Sequence, residues 1–197
     1  MSFLRRWFKF WFPSAPAAVA PVPQRELLVR TPTELEVCEQ WGQSATCQQL
    51  KAWLKNEYRT FLSSPADTDE DVDFLDTPSS KGFVIHFSKT NYTKQDAVCF
   101  FDYLKGQVLA QNYKSELSDI RAIQRGAWLE TIQRHYLKPK SSINDSGLIR
   151  QRFGNVTIEL VLRNEAVHHL RLRATAYSDH LYQDAWDFQV LMDGLVG

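Results

Sequence analysis

The chain has 197 residues, 44% hydrophobic and 13% aromatic, enough for one domain with a real core plus short appendages. Its 23 basic and 23 acidic side chains cancel, which argues against a general electrostatic affinity for nucleic acid; no run approaches the roughly 18 apolar residues of a spanning helix. Cys38, Cys47 and Cys99 form an odd set without CxxC or Cys/His spacing, so neither a disulfide framework nor a structural metal is expected, and unlinked thiols point to a reducing compartment.

The chain opens with MSFLRRWFKFWF. On a helix of about 100° per residue, Arg5, Arg6 and Lys9 share one arc with Ser2, while Phe3, Leu4, Trp7, Phe8, Phe10, Trp11 and Phe12 fill the rest. Such a segment lies flat on an interface, tryptophan at the headgroup boundary and arginine toward anionic lipid. Three other readings compete: docking in a protein groove, a disordered tail, and export. Arg5-Arg6-Trp7-Phe8-Lys9 resembles a twin-arginine signal and Ala18-Val19-Ala20 a cleavage site, but Pro13, Pro16, Pro21 and Pro23 interrupt the apolar stretch that export needs. Those prolines make residues 13–25 a semi-extended linker, and the domain is taken to run from Glu26 to Gly197.

Thr31-Pro32-Thr33-Glu34 is a helix start, and a short helix should end at Gly42. Thr46 with Gln49 repeats the capping pattern ahead of a second helix whose Leu50, Trp53, Leu54, Tyr58, Phe61 and Leu62 fall on one face. Pro65 to Ser80 reads as an acidic loop and Gly82 to Ser88 as a buried strand. A third helix, capped by Thr93 and Asp96, carries Ala97, Phe100, Phe101, Leu104 and Val108 toward the core. Tyr113 to Arg125 and Trp128 to Lys138 form a hairpin, with a turn at Arg125-Gly126 that sets Ile123 opposite Trp128 and Arg121 opposite Glu130.

Alternating Val156, Ile158, Leu160, Leu162 and Leu170, Leu172, Ala174, Ala176 mark two more strands. A two-residue loop at Asn164-Glu165 would set Ile158 against Arg171, so an odd loop, Asn164 to Ala166, is expected. It pairs Ile158 with Leu172, Leu160 with Leu170 and Glu159 with Arg171. Asp184 to Leu195 closes the chain as a helix. The order predicts an α+β fold: an antiparallel sheet of about five strands with helices on one face. Two helices, a strand, a helix, four strands and a helix is an order similar to the cone-shaped fold of nuclear transport factor 2 and its small-molecule-binding relatives; that resemblance carries no motif and no residues.

Chemistry is sparsely signalled. Asp67 to Asp71 begins like a calcium loop, but Val72 stands where the turn glycine belongs and Pro78 where a bidentate glutamate does. Adjacent strand residues His168 and His169 should point to opposite faces and cannot share an ion. His86 with Asp102, and His135 as a further polar group, are the weak catalytic candidates; a hydrogen-bonded core histidine is the commoner outcome. Cys99, inside a helix, reads as an inert thiol. No GxSxG, GxxxxGK[ST] or GxGxxG occurs, and no cofactor is called for.

The strands gather Glu130, Arg134, Glu159, Arg163, Arg171, Arg173 and Tyr177 on the polar face, either a partner-binding surface or a solvated charge ladder. The expectation is thus a non-enzymatic, bacterial-type interaction domain with a protein partner, held at the cytoplasmic membrane surface by residues 1–12. The alternative is a small-molecule-binding protein or cofactor-free enzyme with a pocket between sheet and helices.

Overall fold

A computed structural model describes residues 32–140, 154–175 and 188–197. Helices α1 (Pro32–Trp41) and α2 (Ala45–Ser63) lead through a short 3-10 turn, Pro65–Asp67, to strands β1 (Val72–Thr77) and β2 (Ser80–Ile85). Helix α3 (Lys94–Ala110) follows, then β3 (Tyr113–Arg125), β4 (Trp128–Pro139), β5 (Val156–Arg163), β6 (Ala166–Thr175) and α4 (Phe188–Val196). All six strands form one antiparallel sheet in the order β1-β2-β6-β5-β4-β3. The α+β architecture is as expected, with six strands in place of about five. Thr31, Trp186, Tyr177 and the aromatic head, Phe3 to Phe12, lie outside the described residues.

The additional strand is β1, which the acidic composition of residues 65–80 concealed. Its alternation turns Val72 and Phe74 toward the helices, where Phe74 meets Tyr58 and Phe61 with ring centroids 5.4 and 5.0 Å apart. Tyr58 also packs edge-on against Phe188, at 5.5 Å, which ties α2, β1 and α4 into one aromatic cluster. Two details of α2 differ from expectation. Its cap is Ser44, whose hydroxyl accepts the Cys47 amide, two residues ahead of Thr46; and Leu62 is exposed.

Helix α3 begins with the reciprocal Thr93/Asp96 capping box that was anticipated. Asp96 also accepts from Trp41 Nε1 at 2.7 Å. Burial raises the Asp96 pKa, but hydrogen bonds from Thr93 and Trp41 outweigh it and leave the carboxyl below its ordinary value. Between α3 and the sheet, Phe83, Phe100, Phe101, Leu104, Leu137, Ile158, Leu160 and Leu172 are almost wholly enclosed. Each such side chain contributes about 1.5–3 kcal/mol by leaving water.

The expectation of unlinked thiols is corrected. Cys38 on α1 and Cys99 on α3 are joined by a disulfide, their Cα atoms 4.8 Å apart and 61 residues apart in sequence. Cys47 is a free, buried thiol whose pKa burial raises despite Lys51 nearby.

Both long hairpins differ from the expected turn, for separate reasons. Gly126, with φ +59°, takes the first of two turn positions, so Arg125 pairs with Trp128 and Ile123 with Glu130, where the sequence set Ile123 against Trp128. In the second hairpin Asn164 and Glu165, at φ +47° and +67°, make a tight two-residue turn where an odd loop was expected. The register nevertheless matches: Ile158 opposes Leu172, Leu160 opposes Leu170 and Glu159 opposes Arg171. A bulge reconciles the two. Val161 pairs with His169 and Leu162 with Val167, so His168 is an extra residue absorbed within β6.

Candidate functional site

Register carries rows of side chains across the sheet face that points away from α3. One row reads Asp73, Val84, Arg171, Glu159, Arg134, Asp119 across β1, β2, β6, β5, β4 and β3. Next to it runs Leu75, Gly82, Arg173, Thr157, Tyr136, Leu117. A third holds His169, Val161, Ile132 and Arg121, and a fourth holds Arg163, Glu130 and Ile123. Glu130, Arg134, Glu159, Arg171 and Arg173 therefore do share one face, as the alternation implied.

The acids on that face are not free. Glu159 is buried at 6% exposure and accepts from Arg134 Nε at 2.7 Å, while Arg171 Nη1 stands 3.5 Å from its other oxygen. Arg134 also donates to the Tyr136 hydroxyl. Burial lowers the Arg134 pKa, but its bonds to Glu159 and Tyr136 win and raise it overall. Glu130, 8% exposed, takes Arg125 at 3.1 Å and Arg163 at 4.0 Å. These carboxylates act as internal counter-ions that orient arginines.

Arg171 and Arg173 differ from the others. Arg171 shares a carboxylate already held by Arg134; Arg173 donates its Nε to Ser80 Oγ and forms no ion pair among the described residues. Both line a groove of about 290 Å³ whose other walls are Asp73, Phe74, Leu75, Phe83, Val84 and Leu172. Gly82 stands in this region because nothing larger fits: a Cβ there would lie 2.1 Å from the Leu172 carbonyl oxygen. The groove lies at the small end of ligand sites, a size for one or two side chains.

At one end of the same face the bulge overturns the expected geometry of the histidine pair. His168 Nδ1 and His169 Nδ1 are 2.9 Å apart. Arg163 Nη1 donates to His168 Nε2 at 2.6 Å, so the proton of neutral His168 sits on Nδ1 and is donated to His169. That leaves the His169 proton on Nε2, a buried atom without a hydrogen-bond partner. Burial chiefly, with Arg171, His168, His86 and Arg163 adding to it, lowers the His169 pKa to about 4. Burial and Arg163 likewise lower that of His168, against the pull of Glu130.

A base whose folded pKa lies below its unfolded value of about 6.5 stabilises the fold fully above that value, and the contribution is lost as pH falls from about 6.5 toward 4. After discounting for partial solvent access, the melting temperature should fall by about 4 °C between pH 7 and pH 4.5. Thermal melts of His169→Gln should show a smaller fall over that window; an unchanged profile would count against this origin.

The weak catalytic candidates are not brought together. His86 Nε2 meets Asp73 at 2.7 Å on the outer face, where the sequence had paired it with Asp102 of α3. His135 lies on the helix side, stacked on Phe101 at 4.8 Å and bonded to Ser118 Oγ at 2.6 Å, so the sheet separates the two histidines. The groove and the bulge were missed from sequence, since both depend on strand β1 and on a two-residue turn that the alternation did not reveal. No family model, curated protein or solved structure matches this chain.

Proposed function

We propose that the chain is a non-enzymatic interaction domain that receives an extended, acidic protein segment in the groove between β1, β2 and β6, and that residues 1–12 hold it at an anionic membrane surface. The observation that carries the reading is the pairing of Arg171 and Arg173 along an apolar-walled groove, with guanidinium capacity that the sheet's own carboxylates leave unused. An extended segment fits because its alternate side chains would meet the groove at the spacing of the two arginines on β6. Against the alternative pocket between sheet and helices speaks the packing of Phe83, Phe100, Phe101 and Leu104 there.

The Cys38–Cys99 link persists in oxidising surroundings, which favours a membrane surface outside the cytoplasm over the cytoplasmic one expected from the cysteine count. The test is a titration of isotope-labelled full-length protein with an alternating Glu-Leu peptide. Amide shifts should concentrate at Val84, Arg171 and Arg173 and vanish in Arg173→Glu; shifts spread elsewhere would overturn the groove. In parallel, wild type should sediment with phosphatidylglycerol vesicles and an Arg5→Glu/Arg6→Glu/Lys9→Glu variant should not. Equal partitioning would refute the tether.

A further inference from the structure

Strand β3 is the last in the sheet: β4 pairs with one of its edges, and among the described residues no strand pairs with the other. It is thirteen residues long, and from Leu117 to Arg125 it carries neither proline nor lysine, the usual guards of an open edge. On its outer face stand Leu117, Asp119, Arg121 and Ile123 in order. Leu117 is 53% exposed and Ile123 36%.

That order is self-complementary when reversed. Placed antiparallel to a second copy about a two-fold axis through Ile120, Leu117 falls opposite the partner's Ile123, and Asp119 opposite the partner's Arg121, each contact made twice. Neighbouring registers fail. A slip of two residues in one direction sets Asp119 against Asp119, and in the other Arg121 against Arg121; any slip of one residue opposes the two faces. On the helix-facing side the same register brings Ile120 against its own copy and Ser118 against Ala122, a small pair that leaves room for the two isoleucines.

The acid of this pair is already engaged by its own strand. Asp119 takes Arg121 of its own strand on Oδ2, at 2.9 Å, while its Oδ1 is buried with no hydrogen-bond partner. In the facing strand a second Arg121 stands directly opposite this carboxylate, a cross-strand pair of opposite charge. We infer that β3 is a homodimer interface, two copies joining edge to edge through an Asp119–Arg121 exchange into one continuous antiparallel sheet.

The test is sedimentation equilibrium of the full chain, in a non-ionic detergent that keeps the aromatic head from associating. Wild type should approach twice 22.8 kDa as concentration rises. Asp119→Arg and Arg121→Asp, whose circular dichroism should stay native because both sites are at the edge, should each weaken association by about thirtyfold. An equimolar mixture of the two should recover the dimer, since each then presents the charge the other lacks. Leu117→Lys, at an exposed position, should weaken association without touching the charges. A wild type that stays at 22.8 kDa at every concentration overturns the proposal and leaves the edge to a foreign strand. A dimer that survives either single charge variant also overturns it.

Discussion

Gly82→Val is expected to cost more than about 3 kcal/mol and to lower the melting temperature by about 9 °C. The reason is the neighbour it would strike. A Cβ at Gly82 lies 2.1 Å from the Leu172 carbonyl oxygen and 3.0 Å from Arg173 Cα, both backbone atoms of β6, an internal strand. No rotamer of a nearby side chain can relieve that, so β2 and β6 must separate, and Ile85 and Phe83 must shift with them. Because Arg171 and Arg173 sit on the displaced strand, the groove should lose its acidic-peptide response together with stability. A calorimetric or dichroism melt within about 1 °C of wild type would show that β2 and β6 leave room for a side chain at position 82.

Opening the Cys38–Cys99 link should cost about 4 kcal/mol, or about 12 °C, because it closes a loop spanning 61 residues of sequence separation. With the link gone, α1 keeps only non-covalent ties to α3, chiefly the Trp41–Asp96 hydrogen bond and the edge contact of Trp41 with Phe100 at 6.1 Å. Hydrogen exchange should therefore rise first in α1 and last in β5 and β6. Melts with and without a phosphine reductant, and in Cys38→Ser/Cys99→Ser, measure the loss. Thiol titration of the denatured, unreduced chain should find Cys47 alone; three reactive thiols, or equal melting temperatures, would show that Cys38 and Cys99 are not joined.

What could be read from sequence was whatever alternation or helical spacing expressed locally. Ile158, Leu160, Leu170 and Leu172 announced their strands and even their partners, because in a half-buried sheet a one-residue slip turns every apolar side chain outward. Strand β1 escaped because Asp73 and Asp76 fall on opposite faces and Leu75 shares the face of Asp73, so the alternation is broken and the segment looks like more of the acidic loop before it. The turn at Gly126 was placed one residue early, since either register satisfied some apolar pairs, and only the left-handed backbone at glycine decides between them. The disulfide was illegible for a plainer reason: proximity of residues 38 and 99 is made by the packing of α1 on α3, which spacing in the chain does not encode. The charged face was legible as a face but not as a network, because burial of Glu159 and Glu130 is a tertiary property.

The bulge at His168 separates chain length from strand register. With a two-residue turn already in place, the hairpin would keep Val161 opposite residue 169 and Leu162 opposite Val167 if His168 were simply excised. Every core side chain of β5 and β6 would stay where it is. His168 is thus a surplus position as far as folding is concerned, and its imidazole, held by Arg163 and handing its proton to His169, is the one part of this hairpin that packing alone does not require.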